Sequence, residues 1–204
     1  LPTTSLSPST ASASSPTKKH YILWQKKEIL KPFIRSWEGG YCNVPGDRGG
    51  ATKWGVTLTT YRSVYGQQCG VTDLRNMTED QWDQICHKLY WRRWLADQIQ
   101  SQPIANLLVD WLWHSGQYGI KLPQKILGVH IDGLVGPKTI AAINDYPDQR
   151  ELFAKLWHER EDYFRRLASR ATQKKFLQGW LNRLNGIQYD RLVLNNKKHG
   201  VVTW

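Results

Sequence analysis

The chain has 204 residues, 40% of them hydrophobic, and 28 Lys and Arg stand against 17 Asp and Glu for a formal net charge of +11. This length and apolar content suffice for a buried core, in one domain or one domain with a small module, and exclude a wholly disordered chain. No stretch approaches the roughly 18 uninterrupted apolar residues that cross a bilayer, and the positive excess calls for an anionic partner: nucleic acid, an envelope polymer or an acidic membrane.

Residues 1–17 are dominated by Ser, Thr, Ala and Pro and read as a flexible arm. From Lys18 to Trp37, apolar residues including Ile29, Leu30, Phe33, Ile34 and Trp37 recur at helical spacing. Pro32 is expected to kink this helix or split it, and Gly39-Gly40 to end it. Residues 39–57 are rich in glycine and read as a loop or short hairpin, after which Thr59 or Thr60 caps a short helix ending near Gly66. Thr78-Glu79-Asp80-Gln81 is a capping box for the segment through Trp82, Ile85, Leu89 and Trp94. Pro103 starts an apolar helix with Ile104, Leu107, Leu108, Trp111 and Leu112. A small unit turning at Asp132-Gly133 follows, then two helices at roughly 148–169 and 173–193. The fold class is mainly α.

Eleven Trp and nine Tyr are more than core packing usually requires. More than half are assigned to the core, the others to stacking on sugars, bases or similar flat faces. Cys42, Cys69 and Cys86 form no CxxC pair and no metal cluster, and an odd number leaves at least one unpaired. The chain begins with Leu, which leaves open a processed segment before it, a signal peptide included.

Glu38 stands at the end of the first apolar helix, beside the negative pole of its dipole and between the bulky Trp37 and Tyr41. Both influences favour a protonated carboxyl, which is what a general acid needs to protonate a glycosidic oxygen. The plainer reading is a carboxylate that hydrogen-bonds the following glycine loop. Asp47 follows nine residues later across a turn, and paired carboxyls are the usual equipment for glycoside hydrolysis, although Asp47 is equally suited to bracing the loop. Thr52 and Thr57 add hydroxyls that can orient a water or a sugar. Other motifs are incomplete. Gly-Pro-Lys-Thr at 136–139 lacks the glycine spacing of a phosphate loop, and His158-Glu159-Arg160-Glu161 lacks the second histidine of a zinc helix.

Glu38-Gly39-Gly40-Tyr41 with Asp47, Gly49-Gly50-Ala51-Thr52 and Gly55-Val56-Thr57 resembles the signature of glycoside hydrolase family 108, lysozyme-like N-acetylmuramidases found among phage endolysins and bacterial secretion-associated proteins. Asp110 to Gly116, Gln124 to Gly128 and Asp132-Gly133-Leu134-Val135-Gly136-Pro137-Lys138-Thr139 resemble the predicted peptidoglycan-binding region that accompanies that family. Cys42, Pro45 and Lys53 depart from residues common in the family's loop.

The resemblance implies a mainly α, lysozyme-like fold with a small Gly-rich loop or β-hairpin after the catalytic helix. It places a catalytic region at 18–105, a helical peptidoglycan-binding region packed on it at 106–193, and a tail at 194–204. Glu38 maps onto the family's catalytic glutamate, and Asp47 and Thr52 take catalytic roles by comparison with lysozymes. Tyr41, Trp54, Thr57, Trp111, Trp113 and His114 are the expected substrate contacts, with packing or capping as the other reading of His114. No metal or organic cofactor is implied. The expected partners are peptidoglycan glycan strands and anionic envelope polymers, not nucleic acid, and a monomer is expected. The site of action would be the bacterial cell wall, in the periplasm or outside the cell, reached from the host cytoplasm if the protein is phage-encoded. Two rivals stay open: a catalytically silent peptidoglycan binder and a basic nucleic-acid binder.

Overall fold

The structure, a computed structural model, describes residues 18–43, 50–195 and 200–204; the expected arm lies outside them. Helix α1, Lys18–Trp37, is continuous through Pro32. Pro32 and Glu28 both lie on the exposed face, so the carbonyl that loses its N–H partner is left to water and the helix survives. Leu30, Phe33 and Ile34 are buried, as their i, i+3, i+4 spacing requires.

After Glu38 the chain forms three two-residue strands, β1 (Tyr41–Cys42), β2 (Thr52–Lys53) and β3 (Val56–Thr57), in an antiparallel sheet of that order. Thr52 pairs with Cys42 on one side and Thr57 on the other. Lys53 donates through Nζ to the Arg75 and Met77 carbonyls at 2.6 and 2.9 Å, tying the sheet to the next helical segment. Helix α2, Leu58–Tyr65, is capped by Thr57, whose Oγ1 accepts from Thr60 N, and not by Thr59 or Thr60. Helices α3 (Val71–Arg75) and α4 (Glu79–Cys86) follow, and Thr78 and Gln81 make the expected reciprocal capping box before α4. A π-helical turn, His87–Trp91, continues α4.

Helix α5, Gln102–Ser115, is buried along every side from Gln102 to Leu112 and packs on α1, on the π turn, on α6 (Tyr118–Ile126) and on α8 (Gln149–Ala168). The boundary expected at 105/106 falls inside this helix, and residues from both sides of it share one hydrophobic core. Helix α7 is Pro137–Asn144, and α9, Leu177–Asn185, is shorter than the expected 173–193. Beyond it β4 (Arg191–Val193) pairs antiparallel with β5 (Val201–Thr203), so the expected tail contributes a strand that packs, with β4, on α1. All three cysteines are free thiols.

Candidate active site

Glu38 sits where α1 ends and the small sheet begins. Its Oε1 accepts two hydrogen bonds: from Trp113 Nε1 at 2.7 Å and from Arg183 Nη1 at 2.8 Å. Oε2 accepts none among the described residues. Gly55, at the turn between β2 and β3, comes against this carboxylate with φ +77. A Cβ there would lie 2.6 Å from Glu38 Oε2 and 2.8 Å from Trp113 Cζ2, so only glycine allows the turn to close over the pair.

Arg183 is itself held from behind. Its Nε and Nη2 bind both oxygens of Asp110, which is fully buried in α5, and Arg160 Nη2 donates to Asp110 Oδ2 at 2.7 Å. Burial opposes ionisation of Asp110, but the Arg183 and Arg160 guanidiniums outweigh it and hold its carboxyl down at about 2. Burial also works against the charge on Arg183, and the Asp110 and Glu38 carboxylates more than offset it, so its pKa is raised. Two carboxylates and two guanidiniums thus form one charge-balanced network, the condition under which buried charges persist.

A cleft of about 510 Å³ opens over Glu38, lined also by Trp37, Gly55, Trp113, His114, Trp180 and Arg183. His114 lies edge-on to Phe164 and Trp180. Burial, then the nearby Arg160 and Arg183, lower its pKa to about 3, so it lines the cleft as a neutral ring.

The remaining expected site residues are dispersed. Asp47 lies outside the described residues. Thr52 is half-buried in β2, its hydroxyl donating to the Gly50 carbonyl at 3.3 Å, and it does not line the cleft. Thr57 spends its hydroxyl on capping α2. The Tyr41 ring is covered by Arg75 at 4.6 Å, and Trp54 carries Arg35 and Lys53 against its ring at 4.0 and 4.3 Å. Trp111 is wholly buried in α5. The expectation that it stacks on a sugar is therefore corrected: no face of its ring reaches solvent. Trp113 is brought to Glu38, but as a hydrogen-bond donor through its indole edge.

Sequence reasoning missed Asp110, Arg160, Arg183 and Trp180. One signal was present: Asp110 is the lone carboxylate in a helix apolar all round, and a buried carboxylate must find a cation.

Residues 32–116 match the family model described as Glycosyl hydrolase 108, and residues 118–185 the model described as Predicted Peptidoglycan domain. Over residues 32–116 the chain is similar to glycosyl hydrolase family 108, which marks it as a glycoside hydrolase. A solved structure, Brucella abortus SagA, is 28% identical and superposes with a TM-score of 0.71 over 80% of this chain and 92% of that one. No curated protein matches the chain by sequence. The Glu38–Arg183 ion pair joins the two matched regions of this glycoside hydrolase. The region matching the peptidoglycan model therefore supplies one wall of the same cleft as well as the arginine on Glu38, and that match points to peptidoglycan as the substrate.

Proposed function

We propose that the protein is an N-acetylmuramidase, cutting the β-1,4 bond between N-acetylmuramic acid and N-acetylglucosamine with Glu38 as general acid. The observation that carries this reading is the one-sided hydrogen bonding of Glu38. Two N–H donors occupy Oε1, so when Glu38 leaves its ionised, Arg183-paired form and takes up the proton it is to deliver, that proton belongs on Oε2, the oxygen left for substrate. A general acid needs this asymmetry: one oxygen fixes the group, and the other gives its proton to the leaving oxygen. Trp113 and Arg183 are positioning residues, and Asp110 positions Arg183. Trp37 and Trp180 are the aromatic walls of the cleft that suit a sugar face.

Asp47, which falls between β1 and β2 in the sequence, is the carboxylate assigned to water or to the developing oxocarbenium ion, and Thr52 to its support. Peptidoglycan places the action at the bacterial cell wall. No helix among the described residues is long and apolar enough to cross a membrane.

The test is release of reducing ends from purified peptidoglycan by the wild type, Glu38→Gln and Asp47→Asn, followed by borohydride reduction and mass analysis. Muramitol at the new ends is expected, with activity abolished in Glu38→Gln. Reduced glucosamine ends overturn the bond assignment, and an active Glu38→Gln overturns the acid. If no protein cuts while all sediment with the glycan, the chain is a peptidoglycan binder.

A further inference from the structure

A second cavity, of about 470 Å³, is also lined by Trp113. The two cavities share the Trp113 ring and are bordered by the same two segments. From Gly55, which touches Glu38, the chain runs into α2, whose Thr59, Thr60 and Ser63 line the second cavity. The end of α5 gives Trp113 and His114 to the first cavity and Leu112, Trp113 and Gly116 to the second. The two cavities are therefore neighbours, and a polymer seated over Glu38 and extending past Trp113 has this space beside it.

Its chemistry differs from that of the cleft. Lys88 and Tyr90 are presented by the π turn and Arg93 by the residues just after it. No carboxylate lines the cavity. Lys88 and Arg93 are exposed and make no ion pair among the described residues, and the Thr59 hydroxyl has no hydrogen-bond partner among them. Two unpaired cations beside the free Thr59 hydroxyl suit an anionic, hydrogen-bonding ligand.

We propose that this cavity is a subsite for the stem peptide carried by a muramic acid next along the strand, with Lys88 and Arg93 receiving its carboxylates. The inference rests on the muramidase reading above and deepens it. The amino sugars of the glycan are N-acetylated, and the lactyl carboxyl of each peptide-bearing muramic acid is tied up as an amide, so two cations contribute nothing to binding the sugar backbone of such strands. The fixed negative charges of the repeat are the carboxylates of the peptides on every second sugar. The pocket therefore makes the enzyme selective for glycan that still bears its peptides.

The experiment compares kcat/KM on un-cross-linked glycan strands with stem peptides intact, on the same strands stripped of peptides by an amidase and with the freed lactyl carboxyls capped as primary amides, and on intact strands freed of phosphate-bearing polymers. The wild type should prefer intact over stripped strands by about tenfold, the effect of two exposed charge pairs. In the Lys88→Ser/Arg93→Ser double variant that ratio should fall towards one through KM, and Lys88→Arg should retain it. A wild type that cuts both strands equally, a double variant that keeps the preference, or a preference that disappears with the phosphate polymers overturns the proposal. If the wild type cuts neither substrate, it is the muramidase reading that fails. The subsite is then decided by sedimentation of Glu38→Gln protein, with and without the Ser substitutions, with intact strands: weaker retention of the substituted protein supports it, and equal retention overturns it.

Discussion

Arg183 reaches Glu38 with a single nitrogen, Nη1 at 2.8 Å, while the rest of its guanidinium is locked on the buried Asp110. The side chain that orients the acid is thus oriented from the protein core. Its anchor lies in α5, and the arginine itself comes from α9, 145 residues after Glu38 in the chain.

Asp110→Asn should therefore damage stability and catalysis together. Removing one charge leaves Arg160 fully buried with no carboxylate, and breaking such a network costs about 3–5 kcal/mol. Because Asp110 is depressed in the fold to about 2 from the ordinary 3.8, its contribution is present above pH 3.8 and is lost as pH falls from there towards 2. Urea unfolding at pH 7 measures the loss. A variant as stable as the wild type would mean that the network contributes nothing net.

Gly55→Ala separates fold from site. A side chain at φ +77 costs about 1–2 kcal/mol, and the added Cβ also displaces Glu38 Oε2 or the Trp113 ring. A displacement of that kind is expected to lower kcat by about 10²-fold. Gly128→Ala is the matched control: φ is +67 there, nothing lies within 4 Å of the added atom, and the site is remote. It should show a similar stability loss with activity retained. Equal kinetic losses in the two variants would sink the argument.

The mainly α class, the first helix, the Thr78 capping box and the small hairpin were legible because each depends on local spacing and capping chemistry. Glu38 could be singled out as a candidate too, since the motif around it is compact in sequence. Its partners could not. Trp113 lies 75 residues away and Arg183 a further 70, and nothing local says which of 28 basic residues will meet a given acid. Trp111 and Trp113 look alike in the sequence, yet their rings leave the same helix in different directions, one into the core and one to the carboxylate. Pro32 illustrates the opposite error: a breaker by propensity is tolerated because its helix face is wet.

Trp113→Phe keeps an aromatic ring against Tyr90 and Trp82 but deletes the N–H on Glu38. A hydrogen bond to a charged group is worth about 1.5–3 kcal/mol, so kcat should fall about 10–100-fold. KM should change little, because the cleft keeps its aromatic wall. Steady-state kinetics on soluble glycan strands checks this; a loss confined to KM would make Trp113 a sugar contact and not a positioning residue.

His114 sets the response to acid. Enclosure, with Arg160 and Arg183 nearby, brings its folded-state pKa from the ordinary 6.5 to about 3. Between those values the unfolded chain binds a proton that the folded one refuses, so stability falls as pH drops from 6.5 towards 3. The slope from this one group is at most about 1.4 kcal/mol per pH unit, moderated by the water that reaches its ring from the cleft. His87, lowered by burial and by Lys27, pulls in the same direction and sets a residual slope. His114→Asn removes the titration while keeping a small polar side chain near Ser115. Urea unfolding at pH 7 and pH 5 should give a smaller difference for the variant than for the wild type. Equal differences would mean that water protonates the imidazole in the fold as readily as in the unfolded chain, and that the cleft behind Glu38 is wetter than its aromatic lining implies.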